Sequence, residues 1–273
     1  MYIMTKEIGF IGGGQMGEAL VKGLLKAGLY AAKTVLVAEP GAQRRAYLED
    51  AHGIETTDDA LSVWQKCPTV ILAVKPQVMA DVLTAAGSSI GVSHLIITIA
   101  AGLPISTYET VLKRKDLRII RVMPNTPALV LEAASALCCN ANVTADDLQK
   151  ASAIFNAVGT AVVLDERYLD AVTGLSGSGP AYVFTFIEAL TDAGVKAGLA
   201  RDVAETLAVQ TVLGSAKLML AGKEHPAVLR SKVTSPGGTT IAGLHILEKS
   251  GFRGTIMDAV EAATNRSMEL GGK

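Results

Sequence analysis

The first half of the chain alternates short apolar runs rich in β-branched residues with stretches whose apolar positions recur at helical spacing. The runs Ile8–Ile11, Thr34–Ala38, Thr69–Ala73, Leu95–Ile99, Arg118–Val122, Ser135–Cys139 and Ala161–Leu164 predict strands. Helical spacing predicts helices over Gln15–Ala27 and Thr144–Val158, the second opening on Thr144 as N-cap with Asp146 and Asp147 in its first turn. This alternation is what a doubly wound, mostly parallel sheet with helices on both faces requires. After about Leu164 it stops, and helix follows helix, punctuated by glycine and proline turns at 176–180, 198–202, 222–226 and 235–238. The pattern predicts an α/β domain over 1–164 and an all-α domain over 165–273.

Within the second half, Leu207, Val209, Val212, Leu213, Leu218, Met219 and Leu220 occupy nearly every face of one helix rather than a stripe. A helical domain of about 110 residues has too little material to surround such a helix, so a second copy of the chain is expected to cover it, making a homodimer. The 273 residues are 49% hydrophobic, enough for a substantial core. A formal net charge of -1 and 4% aromatic content provide neither a positive field nor stacking platforms, which argues against nucleic acid as a partner. Lys, Asp, Glu or Gly interrupts each long apolar stretch before the roughly 20 residues of a membrane span, so no membrane partner is expected. Three cysteines, Cys67, Cys138 and Cys139, without a secretory leader pattern fit a reducing cytoplasm.

The candidate chemistry begins at the first turn. Gly12, Gly14 and Gly17 stand in the order G-x-G-x-x-G after an expected strand and at the opening of an expected helix, with Gln15 and Met16 between them. In that context Gly12 permits the turn, Gly14 lets backbone approach a pyrophosphate, and Gly17 lets helix and strand pack closely. Glu39 ends the second strand, where an acidic side chain accepts hydrogen bonds from the adenosine ribose; Arg44 and Arg45 follow and are suited either to a 2′-phosphate or to a solvated helix face. These residues alone leave NAD and NADP both open. Ala73, Val74, Lys75 and Pro76 close the strand across the topological switch, and Ala100 and Ala101 form another small-residue turn, against which a flat nicotinamide can lie.

His52, His94, His225 and His245 are scattered without metal-ligand spacing, so no metal site is expected, and no nucleophile elbow or Cys–His pairing is visible. Hydride transfer is the chemistry that remains. Reducing a ketone calls for a strong proton donor, whereas an iminium carbon already carries its charge and asks mainly for positioning. The second half presents no obvious strong acid, which favours the imine.

Three further motifs, Arg121-Val-Met-Pro-Asn-Thr-Pro-Ala128, Thr173-Gly-Leu-Ser-Gly-Ser-Gly-Pro-Ala-Tyr182 and Val233-Thr-Ser-Pro-Gly-Gly-Thr-Thr-Ile241, together with the glycine turn and Ala73-Val-Lys-Pro76, resemble the pyrroline-5-carboxylate reductases over essentially the whole chain. The resemblance implies a Rossmann domain followed by a helical dimerisation domain, often assembled as a ring of dimers. It also implies reduction of a small-molecule substrate, 1-pyrroline-5-carboxylate, to L-proline with NADPH. By the same resemblance, Ser235, Gly237, Gly238 and Thr239 hold the substrate carboxylate and Thr240 hydrogen-bonds the ring nitrogen as the residue nearest the chemistry. Glu166 lies at the substrate pocket and Asn125 near the nicotinamide. Read as sequence, Glu166 is an exposed loop carboxylate and Ser176–Gly179 a helix cap before Pro180. Glu39 stands where the family often has Ser or Thr, which makes NADH a competitive cofactor beside NADPH. A 3-hydroxyacid dehydrogenase and a non-catalytic NAD(P)-sensing protein are the rival readings.

Overall fold

The structure is a computed structural model and describes residues 5–272; residues 1–4, which bear on the leader expectation, lie outside it. Packing divides it into two units, one running up to Ser178 and resuming at Ala262, the other Gly179–Glu261.

The first unit runs β1 (Ile8–Ile11), α1 (Gln15–Lys26), β2 (Val35–Ala38), α2 (Ala42–His52), β3 (Glu55–Thr57), α3 (Ala60–Lys66), β4 (Thr69–Leu72), α4 (Met79–Ala86), β5 (Leu95–Thr98), α5 (Ile105–Leu112), β6 (Arg118–Met123), β7 (Ala133–Cys139), α6 (Ala145–Asn156), β8 (Gly159–Val163) and α7 (Leu169–Val172). The strands form one sheet in the order β3-β2-β1-β4-β5-β6-β7-β8. Every pairing is parallel except β6 with β7, where Ile120 faces Cys139. This is the Rossmann-like, doubly wound arrangement, with the order reversing between β1 and β4.

The central strands are buried on both faces, and for this reason they read as unbroken apolar runs. Ile8 and Phe10 pack with Leu20 and Leu24 of α1 on one side, while Ile11, Leu36 and Leu72 pack with Trp64 and Tyr108 on the other. Thr144 caps α6 as expected: its hydroxyl accepts from the Asp147 amide, and Asp147 accepts in return from the Thr144 amide and pairs with Arg118 at 2.8 Å. One strand goes unforeseen. β3 is Glu55-Thr56-Thr57, short, polar and on the sheet edge, so it carries no apolar signal.

The second unit contains α8 (Gly179–Lys196), α9 (Arg201–Gly222), α10 (Pro226–Lys232), α11 (Thr239–Lys249) and the start of α12 (Phe252–Leu270), whose last turns belong to the first unit. Only Ala204 and Ala208 of α9 are buried, while Leu207, Leu218 and Leu220 are 54%, 57% and 78% exposed. Contrary to the sequence reading, this helix has the length and mean hydropathy of a membrane span. Gly214 and Lys217 lie inside it without breaking it, because a single glycine or lysine is tolerated in a helix interior.

The helix cap expected at Ser176–Gly179 is also corrected. Thr173–Gly177 forms a π turn in which the Ser178 amide donates to the Thr173 carbonyl at 2.8 Å, so Ser176 and Gly177 continue the helical path of α7 instead of capping a new helix.

Candidate active site

The glycine turn has the geometry that its spacing requires. Gly12 sits at φ +107°, and a Cβ there would lie 2.6 Å from the Ala73 carbonyl oxygen. A Cβ on Gly17 would lie 2.5 Å from the carbonyl of Gly12, so α1 and the turn touch backbone to backbone. Gly14 is the contrast: nothing lies within 4 Å of its Cβ position. It is also the N-cap of α1, with no side chain capping the helix, so the first-turn amides of Gln15, Met16 and Gly17 receive no side-chain partner. Open space beside uncapped helix amides suits a pyrophosphate, and the residues present therefore fit a dinucleotide.

Glu39 bridges two backbone segments at the end of β2. Its carboxylate accepts from the Gly13 amide at 3.0 Å and from the Gly41 amide at 3.0 Å. Both arginines of α2 are half-buried and hydrogen-bonded. Arg44 donates through Nε to the Gly13 carbonyl at 2.7 Å and pairs with Glu18. Arg45 donates to the carbonyls of Glu39 and Pro40, both at 2.8 Å, and lies 3.7 Å from Asp58. Glu18 was not singled out by sequence reasoning, since an acidic residue in the first turn of a helix carries no signal of its partners. Asp59 caps α3, its carboxylate accepting from the Leu61 amide at 2.9 Å.

At the other end of the cofactor path, Ala73 is tied to β1 by its amide, which donates to the Ile11 carbonyl at 2.8 Å, and Val74 packs against the core. Lys75 is exposed at the head of a 3-10 turn over Pro76–Val78. Beside it lies a cavity of about 490 Å³, lined by Pro76, Gln77, Ala101 and Gly102 from the turns after β4 and β5 and by Ser267 and Leu270 of α12. Ala100, at the foot of the same turn, is buried. Ser267 is buried and donates to Asp170 at 2.9 Å, which fixes the α12 wall of the cavity. Sequence reading had no way to place this wall, because the bond that fixes it joins residues 97 positions apart.

Asn125 and Glu166 organise the neighbouring loops. Pro180 has no N–H, so the Ser176 carbonyl lacks the helical donor that position would supply; it accepts instead from Asn125 Nδ2 at 3.0 Å. Asn125 Oδ1 accepts from the Ala134 amide at 2.9 Å, so this side chain holds the loop before β7 against the π turn. Glu166 is not the free loop carboxylate read from sequence. Its Oε1 accepts from the Ile105 amide, at the N-terminus of α5, at 2.8 Å and from Arg121 at 3.1 Å. Arg121 is only 2% exposed. Nearby, burial pushes the Tyr108 phenol up to about 12, so it stays neutral and shares a hydrogen bond with Thr98.

In the second unit, Ser235-Pro-Gly-Gly238 forms the turn that leads into α11. Gly237 sits at φ +67°, and Gly238 is the N-cap, its amide donating to the Ser235 carbonyl at 3.1 Å. A Cβ on Gly238 would lie 2.3 Å from Ser235 Oγ, so the serine hydroxyl folds over a position only glycine leaves clear. The helix starts at Thr239, two residues before the expected Ile241, which places Thr239 and Thr240 in its first turn. No side chain caps it, leaving the first amides to an anion. A cavity of about 780 Å³ opens on this turn, lined by Gly237, Gly238, Thr234, Ile241, Arg230 and His245.

Comparison with known proteins bears on both units. Residues 7–102 match the family model described as NADP oxidoreductase coenzyme F420-dependent, and residues 166–270 match the one described as pyrroline-5-carboxylate reductase dimerisation. A pyrroline-5-carboxylate reductase from Synechocystis sp. is 47% identical over 270 residues, covering 99% of this chain and 100% of the relative. The chain belongs to the pyrroline-5-carboxylate reductase family. Solved reductases of the family have the same fold: one from Coxiella burnetii is 36% identical with a TM-score of 0.93, covering 97% of this chain and 98% of that one. Another, from Plasmodium falciparum with NADP bound, is 35% identical with a TM-score of 0.87, covering 98% and 99%. The dimerisation model spans α8 to α12, and a dimeric assembly accounts for the exposed apolar residues of α9.

Proposed function

We propose that this chain reduces 1-pyrroline-5-carboxylate to L-proline by hydride transfer from NADPH or NADH, the last step of proline biosynthesis. The observation that carries the reading is identity of 47% to a reductase along the whole of both chains. The glycine cradle supports it independently, since an open helix N-terminus beside a backbone-only turn matches a dinucleotide.

The bound dinucleotide supplies the hydride; the remaining roles fall to this chain. Gly12, Gly14, Gln15, Met16 and Gly17 take the pyrophosphate, and Glu39, preset by two amides, faces the adenosine ribose. Ala73, Val74, Lys75, Pro76, Ala100 and Ala101 frame the nicotinamide end, with Asn125 holding the adjoining loop. The amides of Gly237, Gly238 and Thr239, with Ser235, bind the substrate carboxylate, and the Thr240 hydroxyl orients the ring nitrogen. Glu166 shapes the pocket through Arg121 and α5. The protonated imine carries positive charge that reduction removes, so orientation replaces the strong acid a ketone would need. We extend the dimer to a ring of dimers and place the protein in the cytoplasm, in keeping with its family resemblance and its three unpaired cysteines.

The test follows nicotinamide absorbance with pyrroline-5-carboxylate, quantifies proline, and compares the two cofactors in one buffer. Both are expected to work, with kcat/KM values within about a hundredfold, equivalent to about 2.7 kcal/mol. A larger preference refutes dual use, and the absence of proline refutes the reaction.

A further inference from the structure

Resting on the dinucleotide reading above, we infer that Glu18 is a positioning residue that sets cofactor choice: it neutralises Arg44 and so withholds a cation from a ribose 2′-phosphate.

The corner beside Gly13 brings together side chains from α1, β2 and α2. Arg44 is the cation best placed to meet a 2′-phosphate, because its Nε donates to the Gly13 carbonyl and so lies against the glycine turn itself. Its guanidinium is nevertheless paired with Glu18. Glu18 is not free to swing away. Its Oε1 accepts from the Tyr47 hydroxyl at 3.0 Å and lies 3.2 Å from His52 Nε2, while Oε2 takes Arg44. The Arg44 guanidinium also sits 5.1 Å from the centre of the Tyr47 ring, so both members of the pair are braced by one aromatic residue. The Glu18 side chain is 19% exposed, which limits the screening of this pair by water.

The remaining charges do not compensate. Arg45 is spent on two carbonyls and lies near Asp58, and Glu39 adds a carboxylate on the Gly13 amide. Three carboxylates (Glu18, Glu39 and Asp58) meet two guanidiniums and one imidazole, so a 2′-phosphate meets a corner without net positive charge. A ribose with two hydroxyls carries no such penalty. Removing the Glu18 charge while keeping its shape releases Arg44 beside the turn, and the released guanidinium favours the phosphorylated ribose.

The experiment is calorimetric titration of the full-length protein with adenosine 2′,5′-bisphosphate and with 5′-AMP, at one pH and ionic strength. Its readout is the ratio of the two affinities. Glu18→Gln is expected to raise the preference for the bisphosphate by about tenfold, the size of one regained charge-assisted hydrogen bond. Arg44→Met alone uncovers the Glu18 carboxylate beside the turn and should lower the ratio, so the deciding comparison is the double variant, in which both charges of the pair are gone. Adding Arg44→Met to Glu18→Gln should return the ratio to within about threefold of the native value, on the same reasoning. A rise below about threefold in Glu18→Gln, or a gain that persists in the double variant, overturns the inference. Should Glu18→Gln fail to fold, Glu18→Ala with and without Arg44→Met is titrated in its place and is held to the same two outcomes. Neither titration uses the pyrroline substrate, so failure here leaves the proposed reaction standing, and failure of the reaction leaves this result readable.

Discussion

Glu166→Ala is expected to destabilise the protein by about 3 kcal/mol before any effect on catalysis is considered. The reason is Arg121: a guanidinium at 2% exposure loses the carboxylate to which it donates, and leaving one member of a buried ion pair behind costs roughly 3–5 kcal/mol. The lower end applies because the Glu166 side chain is itself 32% exposed, so water can take part of its place. The Ile105 amide at the start of α5 loses its acceptor as well. Glu166→Gln keeps an acceptor for that amide and should lose less, and adding Arg121→Met to Glu166→Ala should recover most of the loss. Urea unfolding at fixed protein concentration, which a dimer requires, reads these differences. A Glu166→Ala protein as stable as the native one but with a raised KM for the pyrroline would show that the carboxylate serves the substrate rather than the scaffold.

Thr240→Ala should lower kcat/KM for pyrroline-5-carboxylate by roughly 10- to 150-fold, the range of a hydrogen bond to a charged group at about 1.5–3 kcal/mol. Thr240 lies in the first turn of α11 and is partly buried. The expected variant therefore folds and still binds the nucleotide, and its loss is confined to turnover. Thr240→Ser, which keeps the hydroxyl, should restore most of the rate. Unchanged turnover in Thr240→Ala removes the residue from the mechanism.

What the sequence showed of this molecule, and what it hid, follows from the range of the interactions involved. The glycine turn was legible because its requirement is local: Gly12 must reach φ +107° within a few residues of Gly17. The central strands were legible because burial on both faces leaves an unbroken apolar run, whereas β3, polar and at the edge, leaves no pattern. The apolar circumference of α9 announced a covering partner in the same way. By contrast, Glu166 meets Arg121 across 45 residues and Arg44 meets Glu18 across 26, and no local signal marks either pair. The π turn at Thr173–Gly177 was hidden for a different reason. A glycine- and serine-rich stretch before a proline has the composition of a helix cap, and only the amide of Ser178 reaching back to Thr173 distinguishes the two.

The proposed reaction depends on a carboxylate resting on the turn that opens α11. The most direct measurement is a crystal structure of the protein soaked with L-proline. The expected result places the proline carboxylate within hydrogen-bonding distance of the Gly238 and Thr239 amides, with the ring nitrogen at the Thr240 hydroxyl. Proline bound elsewhere, with that turn vacant in every copy, would contradict it.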